Sequence, residues 1–278
     1  MNTYGKRPNQ TYGVLQKNTA NNDEEIIIES LHRNGFALLD SGYTDQELNE
    51  LDTVFNRLRK QYIEQYDQHL LSETGELYTI RSPLTQEIEN HFLNLALNSR
   101  LATVIGKMIQ GKYILNQQNG VIFPSSKDYD QGQWHRDLPY QHYVSSSPLA
   151  LNALFCLDDL TFESGAMWVV PHSHKDIVCP SENFIKEFGI QIESKRGQFV
   201  ILDCMVYHCG GYNQSSSDVR AVNHVFTIPY FKQQINIPQN IQAKYISPNM
   251  REILGFNFEE PTSIESYLQS RQLKKLKK

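Results

Sequence analysis

The stretch Gln133-Trp134-His135-Arg136-Asp137 sets an imidazole and a carboxylate two residues apart, and an extended backbone turns both to the same side. A second imidazole, His208, stands far along the chain in Val206-Tyr207-His208-Cys209-Gly210-Gly211. About a dozen residues beyond it, Arg220 opens the apolar run Ala221-Val222-Asn223-His224-Val225-Phe226. Two imidazoles and one carboxylate around an octahedral metal leave three positions open, an arrangement that suits non-haem Fe(II). A lone His-x-Asp is frequent by chance and is more often a surface pair. The weight therefore rests on order and context: His-x-Asp ahead of a long β-rich stretch, a distal His in a Gly-rich turn, then an Arg entering the last core strand.

The elements that must position these groups fall into two halves. Residues 1–22 are polar and without periodicity, and read as an irregular arm. Asp23 to Asn34 has near-helical apolar spacing and stops at Gly35, with Phe36-Ala37-Leu38-Leu39 following as a short strand. Thr44-Asp45-Gln46-Glu47 is a capping box, and Leu48, Leu51, Phe55 and Leu58 form the stripe of a helix reaching about Gln65. Glu87–Leu97 and Arg100–Ile109 continue the helical pattern, so 23–110 is expected to be mainly helical. From residue 111 to 232 the character changes to short runs rich in β-branched and aromatic residues: Tyr113–Phe123, Leu149–Leu157, Ala166–Val170, Gln198–Leu202 and Val219–Ile228. Turn clusters such as Pro124-Ser125-Ser126 separate them. Many short strands without long intervening helices predict a sandwich or jelly roll, covered on one side by the N-terminal helices. Residues 233–278 read as an extension whose last helix starts at a capping box, Thr262-Ser263-Ile264-Glu265. The length fits one domain with a mainly β core and flanking helices, an α+β chain of 278 residues.

Composition narrows the partners. Formal net charge is −5, and the one cationic cluster, Lys274-Lys275-Leu276-Lys277-Lys278, is at the very C-terminus. No nucleic-acid partner is expected, and the tail reads as a solvated helix end. No apolar run approaches the roughly 18 residues of a membrane span, and Met1-Asn2-Thr3-Tyr4-Gly5-Lys6-Arg7 lacks a secretory core, so the expectation is a cytoplasmic protein, monomer or homodimer, without a membrane partner. Cys156, Cys179, Cys204 and Cys209 have no CxxC pair, which favours buried reduced thiols over structural zinc. Cys209, next to His208, is expected to face oxidants made at a metal.

The segment from about Tyr113 to Tyr230 resembles the phytanoyl-CoA dioxygenase family of Fe(II)/2-oxoglutarate oxygenases. The likeness is carried by Trp134-His135-Arg136-Asp137-Leu138-Pro139-Tyr140, by Glu163-Ser164-Gly165-Ala166-Met167-Trp168-Val169-Val170-Pro171-His172-Ser173-His174-Lys175, and by the segment from His208 to Arg220. The resemblance implies a double-stranded β-helix, a cupin-like jelly roll with iron at its mouth held by His135, Asp137 and His208. It also implies 2-oxoglutarate and O2 as cosubstrates, with Arg220 gripping the far carboxylate of the 2-oxo acid through two parallel hydrogen bonds. The implied reaction is hydroxylation, or another oxidation, of a small molecule, with release of succinate and CO2. A natural-product or amino-acid-like substrate is favoured over a fatty acyl-CoA, since no basic cluster near the barrel would hold nucleotide phosphates. An acyl-CoA hydroxylase and a non-catalytic jelly-roll binding protein are the other readings.

Further positions follow less directly. Asn116 and Gln118 alternate on one predicted strand and would reach the 2-oxo acid through their amides; an outward polar face is the competing reading. Asn152 and His224 lie inside apolar runs and would point into the barrel towards substrate, or else be satisfied within the core. Tyr140 and His142, just past the His-x-Asp strand, are substrate-loop candidates. Trp168 is expected to pack in the core. His172 and His174 lack a carboxylate at ligand spacing, and His172 replaces the Gly of a family turn that usually reads Pro-Gly-Ser-His, so the rim of the site is expected to differ there.

Overall fold

The computed structural model describes residues 8–276 apart from 130–131, 139–143 and 242–245. Tyr140, His142 and the last two lysines lie outside the described residues. The chain begins its regular structure with α1 (Asp23–Asn34), capped by the Asn22 side chain on the Glu25 amide and stopped by Gly35 at φ 85°. A Cβ on Gly35 would collide with Val206 Cγ2, so the helix end sits hard against the turn that leads to His208. Strand β1 (Phe36–Asp40) follows, then α2 (Asp45–Tyr66), whose Thr44/Glu47 capping box forms in full and whose buried stripe includes Leu48, Leu51, Phe55 and Leu58. Shorter pieces come next: α3 (Gln68–Glu73), β2 (Thr79–Arg81), α4 (Pro83–Gln86), α5 (His91–Ala96) and α6 (Ser99–Met108). The β-rich half holds β3 (Ile114–Phe123), β4 (Ala150–Cys156), β5 (Met167–Val169), α7 (Glu182–Phe188), β6 (Ile190–Ile192), β7 (Gln198–Asp203), β8 (His208–Cys209) and β9 (Val219–Thr227). The chain closes with α8 (Ile237–Asn240), α9 (Pro248–Ile253) and α10 (Ile264–Leu276). The last cap falls one residue later than the sequence suggests: Ser263 and Ser266 cap each other, at 3.0 and 3.1 Å.

The strands form a six-stranded antiparallel sheet, β1-β7-β4-β9-β3-β2, facing a three-stranded sheet, β6-β5-β8. An isolated bridge between His135 and His208 extends the smaller sheet by one more segment. This is the mixed α and β jelly roll that the strand pattern predicts.

Period-two alternation splits the large sheet between two cores. Phe199 and Ile201 of β7, Leu151, Ala153 and Phe155 of β4, and Val222 and Phe226 of β9 face the helices. Their neighbours Val200, Leu202, Leu154, Cys156, Val219 and Ala221 face the smaller sheet, inside the barrel. Phe55, Phe92, Phe155, Phe199 and Phe226 are fully buried on the helix side, and each contributes about 1.5–3 kcal/mol by leaving water.

In β3 the alternation breaks. Pairing with β9 jumps from Leu115↔Phe226 to Gln117↔Val225, leaving Asn116 as an unpaired bulge. After it, Gln117, Asn119, Val121 and Phe123 face the barrel, and Gln118 and Ile122 face the helices. A single extra residue thus exchanges the two faces of the strand.

Candidate metal centre

His135 and His208 exchange backbone hydrogen bonds, His135 N–H to His208 C=O at 2.8 Å and His208 N–H to His135 C=O at 3.0 Å. Two residues on, the Asp137 amide donates to Cys204 C=O at 3.0 Å, which fixes the carboxylate on the same side as the imidazole of His135. His135 Nε2 and His208 Nε2 then stand 3.7 and 3.8 Å from Asp137 Oδ1, with the ring centroids 4.4 Å apart. Sequence spacing and fold thus bring this trio to one point.

The other polar atoms of the trio are already committed. His135 Nδ1 lies 2.7 Å from Gln133 C=O and His208 Nδ1 lies 2.9 Å from Val206 C=O. A carbonyl only accepts, so each Nδ1 carries the proton and each Nε2 keeps its lone pair. Asn152 Nδ2 donates to Asp137 Oδ2 at 2.8 Å and leaves Oδ1 turned to the two imidazoles. Three donor atoms with free lone pairs, each oriented by a hydrogen bond from its other end, is the donor set of a metal site with built-in outer support. The residues therefore fit Fe(II), which takes more ligands than these three donors supply. The other close cluster of possible ligands among the described residues, Glu87, Glu89 and His91, is occupied differently: Glu89 pairs with Arg57 and Glu87 accepts from the Phe92 amide.

Electrostatics favour the ligating forms of Asp137 and His208, while His135 is drawn towards the charged form by its carboxylate neighbour. Burial would raise the Asp137 carboxyl, but His208, His135 and Asn152 outweigh it and hold the group at about 2. Burial lowers His208, against the pull of Asp137. Burial also disfavours the charged form of His135, but the hydrogen bond and charge of Asp137 prevail and its value rises.

The trio opens on a cavity of about 220 Å³ between the sheets, walled by the carboxamides of Gln117, Asn119, Asn152 and Asn223, by Leu154 and Met167, and by Arg81 at one side. Asn152 Oδ1 and Asn223 Oδ1 are buried with no hydrogen-bond partner, so the cavity wall offers unfilled polar positions.

Several sequence expectations need correction. Arg220 faces the helices, not the cavity. Its Nε and Nη2 grip Asp158 at 2.9 and 2.7 Å, Nη2 lies 3.1 Å from Asp52, and Nη1 donates to Asn56 at 3.1 Å. The cavity-facing positions of β9 are Val219, Ala221, Asn223 and Val225, and none is a cation. Gln118 and His224 also face the helices. Gln118 Nε2 lies 2.8 Å from Phe92 C=O and 2.9 Å from His224 Nε2, its Oε1 accepts from the Leu84 amide, and His224 Nδ1 lies 3.0 Å from Ala153 C=O. Asn116, on the bulge, is turned outward to Lys232 C=O at 2.8 Å. The bulge explains the two β3 errors: strict alternation selects 116 and 118, whereas the cavity receives Gln117 and Asn119. Asn152 does point inward, where it holds Asp137.

Trp168 lies on the outer face of β5, 36% exposed, rather than in the core. Cys179 is exposed while the other three cysteines are buried. Cys209 does not line the cavity, and burial pushes its thiol up to about 12, so it is held in the unreactive protonated form. His172 adopts φ 66°, the left-handed backbone a Gly there would take freely, and its Nδ1 lies 2.7 Å from Arg33 C=O at the end of α1. That replacement fastens α1 to the barrel instead of reshaping the cavity wall. Arg81, Gln117, Asn119 and Asn223 were not singled out by sequence; Arg81 lies on a three-residue strand inside the helical half, where no periodicity reveals it.

A jelly roll with two imidazoles and one carboxylate at its mouth defines the class of non-haem metal oxygenases. The model of the phytanoyl-CoA dioxygenase (PhyH) family matches residues 31–222, and the chain belongs to that family of iron- and 2-oxoglutarate-dependent dioxygenases. It is 24% identical over 257 residues to the uncharacterized protein Rv1501 of Mycobacterium tuberculosis, covering 90% of this chain and 93% of that one. It is 22% identical to the ectoine dioxygenase of Bordetella parapertussis over 242 residues, 76% of this chain and 77% of that one. Among solved structures, EctD from S. alaskensis with 2-oxoglutarate and 5-hydroxyectoine superposes with a TM-score of 0.63 at 18% identity, covering 78% of this chain and 81% of that one. No helix among the described residues is long and apolar enough to cross a membrane.

Proposed function

We propose that the chain is an Fe(II)/2-oxoglutarate-dependent dioxygenase that oxidises a small molecule bound in the cavity beside His135, Asp137 and His208. Its reading rests on the convergence of three lone-pair donors whose other ends are all tied down. Bound there, iron with 2-oxoglutarate and O2 supplies oxidative decarboxylation to succinate and CO2, coupled to oxidation of the substrate. His135 Nε2, His208 Nε2 and Asp137 Oδ1 would hold the ion. The carbonyls of Gln133 and Val206 keep both imidazoles in the ligating tautomer, and Asn152 keeps Asp137 from turning away. The surrounding wall of Leu154, Met167 and Val121 limits water at the reacting centre, and the carboxamides orient a polar substrate.

A small polar substrate, of natural-product or amino-acid-like character, fits better than an acyl-CoA. The cavity is about 220 Å³, and Arg81 is the sole cation among its described lining residues, whereas the phosphates of coenzyme A call for several. The test is turnover with Fe(II), 2-oxoglutarate and O2 across a panel of small polar metabolites and one acyl-CoA, reading substrate-stimulated succinate release. Absence of any Fe(II)-dependent succinate formation would remove the enzyme reading in favour of a non-catalytic binding protein, and stimulation by the acyl-CoA alone would overturn the substrate class.

A further inference from the structure

A 2-oxo dicarboxylic acid chelated by iron extends a second carboxylate that the metal cannot reach, and this group needs a fixed cation. Strand β9 does not provide one on its cavity face, and Arg220 is consumed by Asp158, Asp52 and Asn56 on the far side of the sheet. We propose that Arg81, on the short strand β2, anchors the far carboxylate of 2-oxoglutarate in this chain. The inference rests on the proposed function and deepens it.

Three observations carry it. Arg81 pairs with Asn119 in the β2–β3 register, so its side chain stands on the face of the sheet that Asn119 and Gln117 turn towards the metal centre. It lines the same cavity as His135, Asp137 and His208, and no other cation does among the described residues. Its head group is held by one edge: Nε and Nη2 donate to the two oxygens of Glu76 at 2.7 and 2.5 Å. A guanidinium has five N–H donors, and a carboxylate on the Nε/Nη2 edge leaves the Nη1/Nη2 edge for a second one. That edge meets only neutral amides, Gln234 Oε1 at 3.2 Å from Nη1 and the Asn119 carboxamide oxygen, in its flipped orientation, at 3.1 Å, partners an anion displaces readily. Glu76 thereby positions the cation and prevents it from swinging into solvent.

The test is anaerobic titration of the Fe(II)-loaded protein, following the visible charge-transfer absorption of an Fe(II)–2-oxo acid chelate. Two ligands are compared, 2-oxoglutarate and 2-oxobutyrate, which chelates alike but lacks the far carboxylate. The wild type should prefer 2-oxoglutarate by roughly tenfold to a hundredfold, the range of a charge-assisted bidentate contact. R81Q should shrink that preference to within about threefold while leaving 2-oxobutyrate affinity unchanged, whereas R220Q should keep it. An undiminished preference in R81Q, or its loss in R220Q, overturns the proposal, as does a wild type without any preference. Should R81Q fail to fold, R81K decides: a several-fold smaller preference supports the anchor and a wild-type ratio removes it. Absence of the chelate absorption with both ligands in the wild type is a different result, which overturns the oxygenase reading and the anchor with it.

Discussion

Both faces of the large sheet carry polar side chains, and they differ in how those side chains are partnered. On the helix face, Gln118 and His224 satisfy one another, the Leu84 amide and two carbonyls, and Arg220 is enclosed by Asp158, Asp52 and Asn56. On the barrel side, Asn152 and Asn223 keep amide oxygens without a hydrogen-bond partner, and three lone pairs from His135, Asp137 and His208 converge. Polar groups paired within the protein belong to the scaffold, whereas orphaned amide oxygens that line one cavity with three converging donor atoms mark a ligand site. The same strands serve both purposes because alternate residues belong to different cores.

The sharpest way to break this contrast is to remove a group from each face and read different observables. On the barrel face, Asp137→Ala should abolish succinate formation, and because the fold holds this carboxyl at about 2, below the usual carboxylate range, it should also cost the metal-free protein up to about 2 kcal/mol of stability at neutral pH. Turnover near wild type in that variant would dissolve the metal assignment. Asn152→Ala is the next largest effect: loss of the amide on Asp137 Oδ2 should weaken Fe(II) binding about 10- to 100-fold without abolishing it. Competition against a chelator measures this, and unchanged affinity would reduce Asn152 to a packing residue.

How far the sequence reveals this division depends on whether alternation runs unbroken. His135 and Asp137 sit two apart on an extended segment, so their shared side is visible from spacing alone. The buried stripe of α2 and its capping box are equally local, and both form as read. The errors lie where a local rule meets a non-local cause. Asn116 and Gln118 are misplaced by one bulge, which only the β3–β9 pairing reveals. Arg220 has the right distance from His208 to be a cosubstrate anchor, yet it stands on the phase of β9 shared by Val222 and Phe226, and Asp158 and Asp52, remote in sequence, claim it. Trp168 occupies the one outward position of a three-residue strand, too short for a pattern to show.

Arg220→Ala therefore tests the opposite side of the contrast. It leaves Asp52 and Asp158 without their shared cation, and with its side chain 18% exposed the cost should be about 2–3 kcal/mol in chemical denaturation. Affinity for 2-oxoglutarate should stay within about threefold of wild type. A variant of normal stability that no longer binds the 2-oxo acid would move Arg220 back to the cavity and break the comparison.

The smallest effect concerns the neutral imidazole in the helix-side core. Burial lowers His224 from 6.5 to about 4, and its bonds require Nδ1 to donate to Ala153 and Nε2 to accept from Gln118, which only the neutral ring can do. The unfolded chain takes up a proton at about pH 6.5 while the folded one resists until about pH 4. Unfolded molecules therefore bind more protons in that window, and stability is full above it and declines as pH falls through it. The shift corresponds to at most about 3 kcal/mol. His224→Gln keeps an acceptor for Gln118 but cannot titrate, so its unfolding free energy should fall less steeply between pH 6.5 and 4 than that of the wild type. His174, lowered to about 4 by burial at the α1 contact, remains in the variant and should preserve part of the slope. Equal slopes in the two proteins would mean that His224 titrates freely, which would contradict a closed hydrogen-bond network and place this residue with the open groups of the barrel face.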